Sequence, residues 1–275
     1  MKPITRIGQT TMRWLTVALL AASFTACSQA GEPTSPKDRL AKAQAMFAER
    51  CKTAGEKIVR TVDNVEGVYL LKVRPDQKLA AQFAFDDPYG GDMSGSGYIE
   101  SFVQGSFRAT HKDTPIGGPP RTGYLYVEAV NTVDGKRYHY TGRLDEPWQH
   151  NKAYLKGYIQ FVVDKTLATG EPPRYGVTYD DISTHEEREY WIAGSSLKVI
   201  DLQTNEVIAE RVGYMMDPGQ GNRAGGRAPW AFATATACPS FLRNFKTVHT
   251  SPVPPSQLYQ TLDFVEKVLI PKREQ

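Results

Sequence analysis

The sequence has no hydrophobic run long enough to cross a bilayer: its longest uncharged apolar stretch, Trp14 to Phe24, has eleven residues, where a spanning helix needs about 20. With Lys2, Arg6 and Arg13 ahead of it, the stretch reads as a processed leader and not as a stable membrane helix. Cysteine is scarce, three in 275 residues, and no Cys-x-x-Cys or histidine pair at ligand spacing accompanies it. That argues against a zinc site. There is no Gly-x-Ser-x-Gly, no His-Glu-x-x-His, and no Ser-x-x-Lys followed by its companion signatures, so the nucleophile and metal motifs of those hydrolases are missing. Internal repeats and low-complexity tracts are absent as well.

The residues just after the apolar stretch are more specific. Phe24-Thr25-Ala26-Cys27 resembles the lipobox of bacterial lipoproteins, with a small residue before the cysteine and Phe24 where Leu is usual. The resemblance covers residues 1–27 only. It implies a signal peptide over 1–26, acyl chains on Cys27, and a tether over 27–36 rich in small and polar residues. Ser28 in place of Asp implies the outer membrane, facing the periplasm. Ser28-Gln29-Ala30 also suits ordinary signal peptidase, which would give a secreted or soluble periplasmic protein, and burial as an N-terminal helix is a third reading.

Loss of the leader changes the charge balance. It carries three basic residues and no acidic one, so the +3 of the whole chain disappears and 30 basic residues face 30 acidic ones. Such a balance argues against nucleic acid as a partner and against a polybasic membrane patch. With Cys27 taken by lipid, Cys51 and Cys238 remain as a pair in the oxidising compartment that the resemblance implies. A disulfide is expected there, and two buried free thiols are the alternative.

Periodicity predicts an α+β domain over 37–275, mainly antiparallel sheet, with an amphipathic helix at each end. Ser35-Pro36-Lys37-Asp38 reads as a helix start, and Leu40, Ala43, Phe47, Cys51 and Ala54 form its apolar stripe, with Gly55 as the stop. Leu258, Leu262, Val265 and Leu269 form a second stripe, closed by Pro271. Between them, a hairpin is expected over Tyr124–Val133 and Lys136–Thr141 around Asp134-Gly135, and another over Tyr190–Leu202 and Val207–Met215. Further strands are expected at Ile58–Val62, Gly67–Val73, Tyr98–Val103, Tyr154–Val163 and Tyr175–Ile182.

Few residues stand out for chemistry. Gly221 to Ala228 has Arg227 and Ala228 where a phosphate loop needs Lys and Ser or Thr, so a nucleotide site is rejected. The Gly-rich stretch from Asp217 offers Arg223, Arg227 and Trp230 as an anion- or partner-binding loop, against the plainer reading of a surface loop. Asp86, Asp87 and Asp92 offer oxygen atoms to calcium at spacings that fit no EF-hand, and an ordinary Gly-rich turn is the plainer reading. His111, His139, His150, His185 and His249 are scattered, and His185-Glu-Glu-Arg-Glu189 reads as a solvated turn. No cofactor is implied.

The function expected is therefore a non-enzymatic envelope lipoprotein that binds a protein or envelope component through its sheet and loops, an immunity or inhibitor protein being one form. An envelope hydrolase using Asp, Glu or His groups is the second class, and a structural lipoprotein of a secretion or conjugation assembly the third.

Overall fold

The central strand of the sheet is the short segment β3, Gly67–Leu70, three of whose four residues are buried. It runs parallel to both neighbours, β5 (Tyr126–Val130) and β8 (Tyr175–Asp181). A strand covered on both faces reads as a continuous apolar run, as Gly-Val-Tyr-Leu does. In this computed structural model we describe residues 35–76, 82–90, 94–105, 110–111, 123–147, 151–241, 257 and 260–272. Cys27, Asp92, His150, His249 and Leu258 lie outside them.

Outward from β3 the pairing becomes antiparallel. On one side β8 is followed by β9 (Ile192–Asp201), β10 (Glu206–Met216) and β1 (Gly55–Ile58), and β11 (Ala237–Cys238) also pairs with β10. On the other side β5 is followed by β6 (Arg137–Asp145), β7 (Tyr158–Leu167) and β4 (Thr110–His111). A separate parallel pair joins β2 (Val62–Val65) to β12 (Leu269–Pro271). The sheet is thus mixed: most of its pairings are antiparallel, as expected, but its centre is parallel, which the expectation of antiparallel sheet did not include.

The parallel centre has a specific source. Parallel strands need a crossover, and α2, Gly95–Gln104, supplies a helix between β3 and β5. A strand was expected at Tyr98–Val103. Tyr98, Ile99, Phe102 and Val103 are all buried, at the one-, four- and five-residue offsets of a single helix face. Gly105, at φ 57°, ends the helix in a conformation that glycine adopts without strain.

The terminal helices form as their stripes suggest. In α1, Pro36–Cys51, the Ser35 hydroxyl accepts the Asp38 amide at 3.2 Å and donates to the Asp38 carboxylate at 2.6 Å. Ala43 is fully buried, and Leu40, Met46 and Phe47 pack beside it against Ile192, Tyr214 and Met216. The helix ends at Cys51; Gly55, expected as the stop, instead opens β1 at φ 151°. The Cys51 and Cys238 sulfurs are 2.00 Å apart, in disulfide geometry, joining the end of α1 to β11. Two short helices, α3 (His185–Glu189) and α4 (Pro229–Ala233), precede β9 and β11 respectively. The C-terminal helix α5, Gln260–Val268, buries Leu262, Phe264, Val265 and Val268 in the same cluster as Tyr98, Phe102 and the β3 side chains. Leu269, expected in that helix, begins β12.

Leu40–Gln275 forms one compact unit. Among the described residues no helix is long and apolar enough to cross a membrane. The hairpin β9–β10 forms as expected, turning over 202–205 with Asn205 at φ 57°. The first hairpin is looser: β5 and β6 pair from Val130 with Arg137, so six residues connect them in place of a two-residue Asp-Gly turn. The run expected as one strand at Ile58–Val62 is broken between β1 and β2. That expected at Tyr154–Val163 starts at Tyr158 and continues to Leu167.

Candidate functional site

The residues that stand out in the sequence are mostly committed to one another. Asp217, fully buried, accepts the amides of Gly219 and Gly221 at 2.9 Å each, and the Arg227 guanidinium at 2.8 Å. Burial alone would raise this carboxyl, but Arg227 and the two amides outweigh it and hold it below the usual carboxylate range. Trp230, in α4, is 6% exposed and packs against Trp191 and beneath Arg188. Two of the three candidate partner-binding residues of this loop, Arg227 and Trp230, therefore serve the fold. Arg223, just before the 3-10 turn Ala224–Gly226, is the exposed member.

The calcium candidates are similarly engaged. Asp87 is fully buried, with Arg74 Nη1 at 2.7 Å and the Ser195 hydroxyl donating at 2.7 Å. Burial pushes its carboxyl up, against the pull of Arg74 and Ser195. Gly90 leaves room for this pair: a Cβ there would lie 2.1 Å from an Arg74 guanidinium nitrogen. Asp86 accepts Lys72 at 3.3 Å and the Tyr179 hydroxyl at 3.0 Å. Among the described residues no group of three potential ligands assembles for a metal.

Among the described residues the histidines do not converge. His139 stacks on Tyr126 at 4.6 Å with Nδ1 3.1 Å from Glu128, and His185 stacks on Phe83 at 4.8 Å. His111 lies in β4. The run from His185 to Glu189 is the helix α3, closed by a capping box between Thr184 and Glu187. Only part of it is solvated: Glu187 and Arg188 are buried, held by Arg50 and by Asp181 respectively. That corrects the expectation that the whole run is a solvated turn.

A cleft of about 560 Å³, not foreseen in the sequence, lies between the arm made by β5, β6 and β7, the first half of α2 and the segment 73–76. Val73, Ile99, Tyr140 and Val163 supply its apolar lining, and Arg74, Asp76, Glu100 and Lys165 its charges. Period-two alternation builds this face, since Tyr138 and Tyr140 of β6 stand opposite Leu167 and Lys165 of β7. The Lys165 ammonium sits 3.7 Å from the centre of the Tyr138 ring, a cation–π contact. The Tyr138 hydroxyl donates to Asp134 at 2.6 Å, which with the Lys136 amide lowers the Asp134 carboxyl from its ordinary value.

At the tip, Asn131 Oδ1 accepts the Val133 amide at 2.8 Å, a local turn that leaves the Val133 side chain 93% exposed. Val130 and Leu167 are also exposed. The Asp164-Lys165-Thr166-Leu167 alternation was the available signal, and the expected strand stopped one residue short of it. The cleft lining contains no histidine or cysteine, and its chemistry is that of contact: an apolar base, two cations, of which Arg74 is buried against Asp87, and two carboxylates.

No family model, curated protein or solved structure matches this chain.

Proposed function

We propose that the chain is a lipid-anchored envelope protein that binds a partner protein or envelope component through the cleft and apolar face of the β5–β7 arm. The observation that carries this reading is Val133, held outward at 93% exposure on the rim of an apolar-lined cleft. Valine gains nothing from water at a loop tip, and an apolar patch edged by charges is how interaction surfaces are built. Tyr138 offers an aromatic ring, a residue type that dominates contact energies through position more than number, and Lys165 a cation beside it. The hydrolase class is less well supported. Asp181, Ser183 and His185 are close in sequence, but the Ser183 hydroxyl donates to an Asp181 carboxylate that Arg188 already holds, and the His185 ring stacks on Phe83, so these three do not line up as nucleophile, imidazole base and orienting acid.

A photo-crosslinking residue at position 133 tests the reading in intact cells. A discrete adduct is expected from 133 and not from the equivalent probe at Val207, an exposed site on β10. No adduct from 133, or the same adduct from both sites, would remove the arm as the binding surface.

A further inference from the structure

A second cleft, of about 510 Å³, lies between the 3-10 turn Gln82–Ala84 and the segment that leads from β8 into α3. Its composition differs from the arm cleft. Asp86, Asp181, Ser183 and Arg188 supply polar groups, and Phe83 and His185 stand at its edge. We propose that this cleft is a saccharide site, taking a neutral sugar whose ring packs on the Phe83–His185 pair while its hydroxyls meet Asp86 and Asp181.

The charge count sets the ligand class. Asp181 accepts Arg188 Nη2 at 2.6 Å, and Asp86 accepts Lys72, so each carboxylate already has its cation. A free anion would face two carboxylates, and a free cation would compete with Arg188 and Lys72. A neutral ligand rich in hydroxyls meets neither penalty. Carboxylate oxygen atoms each accept hydrogen bonds in more than one direction. The side chains of Asp86 and Asp181 remain 35% and 24% exposed, so solvent or a ligand hydroxyl reaches them.

The acceptors are also fixed in place. The Ser183 amide donates to Asp181 at 2.9 Å, its hydroxyl donates to the same oxygen, and the Gly194 amide donates to the Ser183 hydroxyl at 3.1 Å. The Tyr179 hydroxyl, donating at 3.0 Å, fixes Asp86 from another direction. Acceptors immobilised before binding lose little freedom when a ligand arrives.

The rings supply the apolar half. Phe83 and His185 stack with planes 15° apart, yet Phe83 is 55% exposed and the His185 side chain 78% exposed. Such a plate contributes nothing to the core, and a ring with its outer surface open beside fixed acceptors matches a sugar, which has apolar C–H faces and polar edges. Sugar binding here does not depend on the arm having a partner.

Saturation-transfer NMR on the full chain with cellotriose, maltotriose and triacetylchitotriose tests it, alongside trilysine and triglutamate as charged probes. At least one trisaccharide is expected to bind in the millimolar range, and Phe83→Ala and His185→Ala each to weaken it by about tenfold with an unchanged thermal midpoint. Both positions are exposed, so these variants leave the core intact. Val133→Ser, in the arm cleft, is expected to leave sugar binding unchanged. No transfer to any trisaccharide overturns the proposal. So does binding that survives both ring substitutions, binding that falls equally in Val133→Ser, or a ring-dependent preference for a charged peptide.

Discussion

Arg74 and Asp87 place opposite charges where both side chains are essentially inaccessible to water, at 2% and 0% exposure. Their removal from water is costly, and the 2.7 Å contact, the Ser195 hydroxyl and the Gly90 amide at 3.2 Å are what offset it. The aromatic rings of Tyr179 and Tyr98, 3.9 and 5.6 Å from the guanidinium carbon, face the remaining charge. Losing one partner should therefore be far worse than losing both. Asp87→Ala is expected to destabilise by about 3 to 5 kcal/mol, because it strands a buried guanidinium, and Arg74→Met with Asp87→Leu to recover much of that loss. Urea midpoints of Asp87→Ala, Asp87→Leu, Arg74→Met and the double variant check this. A double-variant loss equal to the sum of the Asp87→Leu and Arg74→Met losses would show that the pair has no mutual coupling.

This scale was the least legible in the sequence. Asp86 and Asp87 were visible as acids in a Gly-rich run, and calcium was a reasonable use for them. Their real partners come from a distance along the chain, Ser195 lying 108 residues from Asp87. Nothing local in Phe85-Asp86-Asp87-Pro88 shows which carboxylate will be covered by a sheet. The same holds for Arg227, whose partner Asp217 was in plain view ten residues away while the sequence offered only a binding role or a plain surface loop. A buried carboxylate that accepts two loop amides organises a loop from within, and only burial distinguishes this from a loop that offers its arginine to a ligand.

Among the elements, the helix starts and the β9–β10 hairpin could be read because their signals are local: a capping serine, a proline, alternation and a short turn. Misreading α2 had wider consequences. Four β-prone residues at Tyr98, Ile99, Phe102 and Val103 favour a strand by propensity, but their spacing favours a helix, and packing against β5, β6 and β7 follows the spacing.

Asp201 shows how one residue ties several elements. It ends β9, and Arg174 just before β8 and Arg60 between β1 and β2 donate to it, both through Nη2 groups, at 2.7 and 2.6 Å. The Arg174 guanidinium foremost, with Arg60 and the Gln203 amide, holds this carboxyl well below the usual range, although burial opposes them. An acid that is stronger in the folded than in the unfolded state contributes stability above its unfolded value of about 3.9, and that contribution fades as pH falls from there through the folded value. Asp201→Asn should thus be less stable than the parent at neutral pH, with a gap that narrows in acid. Denaturant midpoints at near-neutral pH and near pH 2 test it, and an equal gap at both would discount the clamp.

For the whole molecule, the sequence spoke clearly about helices at both ends and poorly about the middle of the sheet. The parallel β3 is set by crossovers, and crossover direction is not a property of any four-residue segment. The arm cleft was hidden for a related reason, because it needs β7 to run on past Val163 to Lys165 and α2 to be a helix. On the proposed reading, localisation turns on Cys27. If acyl chains on Cys27 are the membrane contact, attachment and folding are separable, because the compact unit begins at Leu40 and its cysteine pair is Cys51 with Cys238. Cys27→Ser should then move the protein from the membrane to the soluble fraction. The thermal midpoint should stay unchanged, and so should mobility on non-reducing gels. The control matters as much as the variant: a single acyl chain gives only marginal attachment, whereas two or more hold firmly. A lipidated parent is therefore expected to resist salt and to be released by detergent. If the serine variant stays with the membrane, or if Cys27 is found bridged to another cysteine, the lipid anchor is lost, and the charge balance must be recounted with Lys2, Arg6 and Arg13 in place.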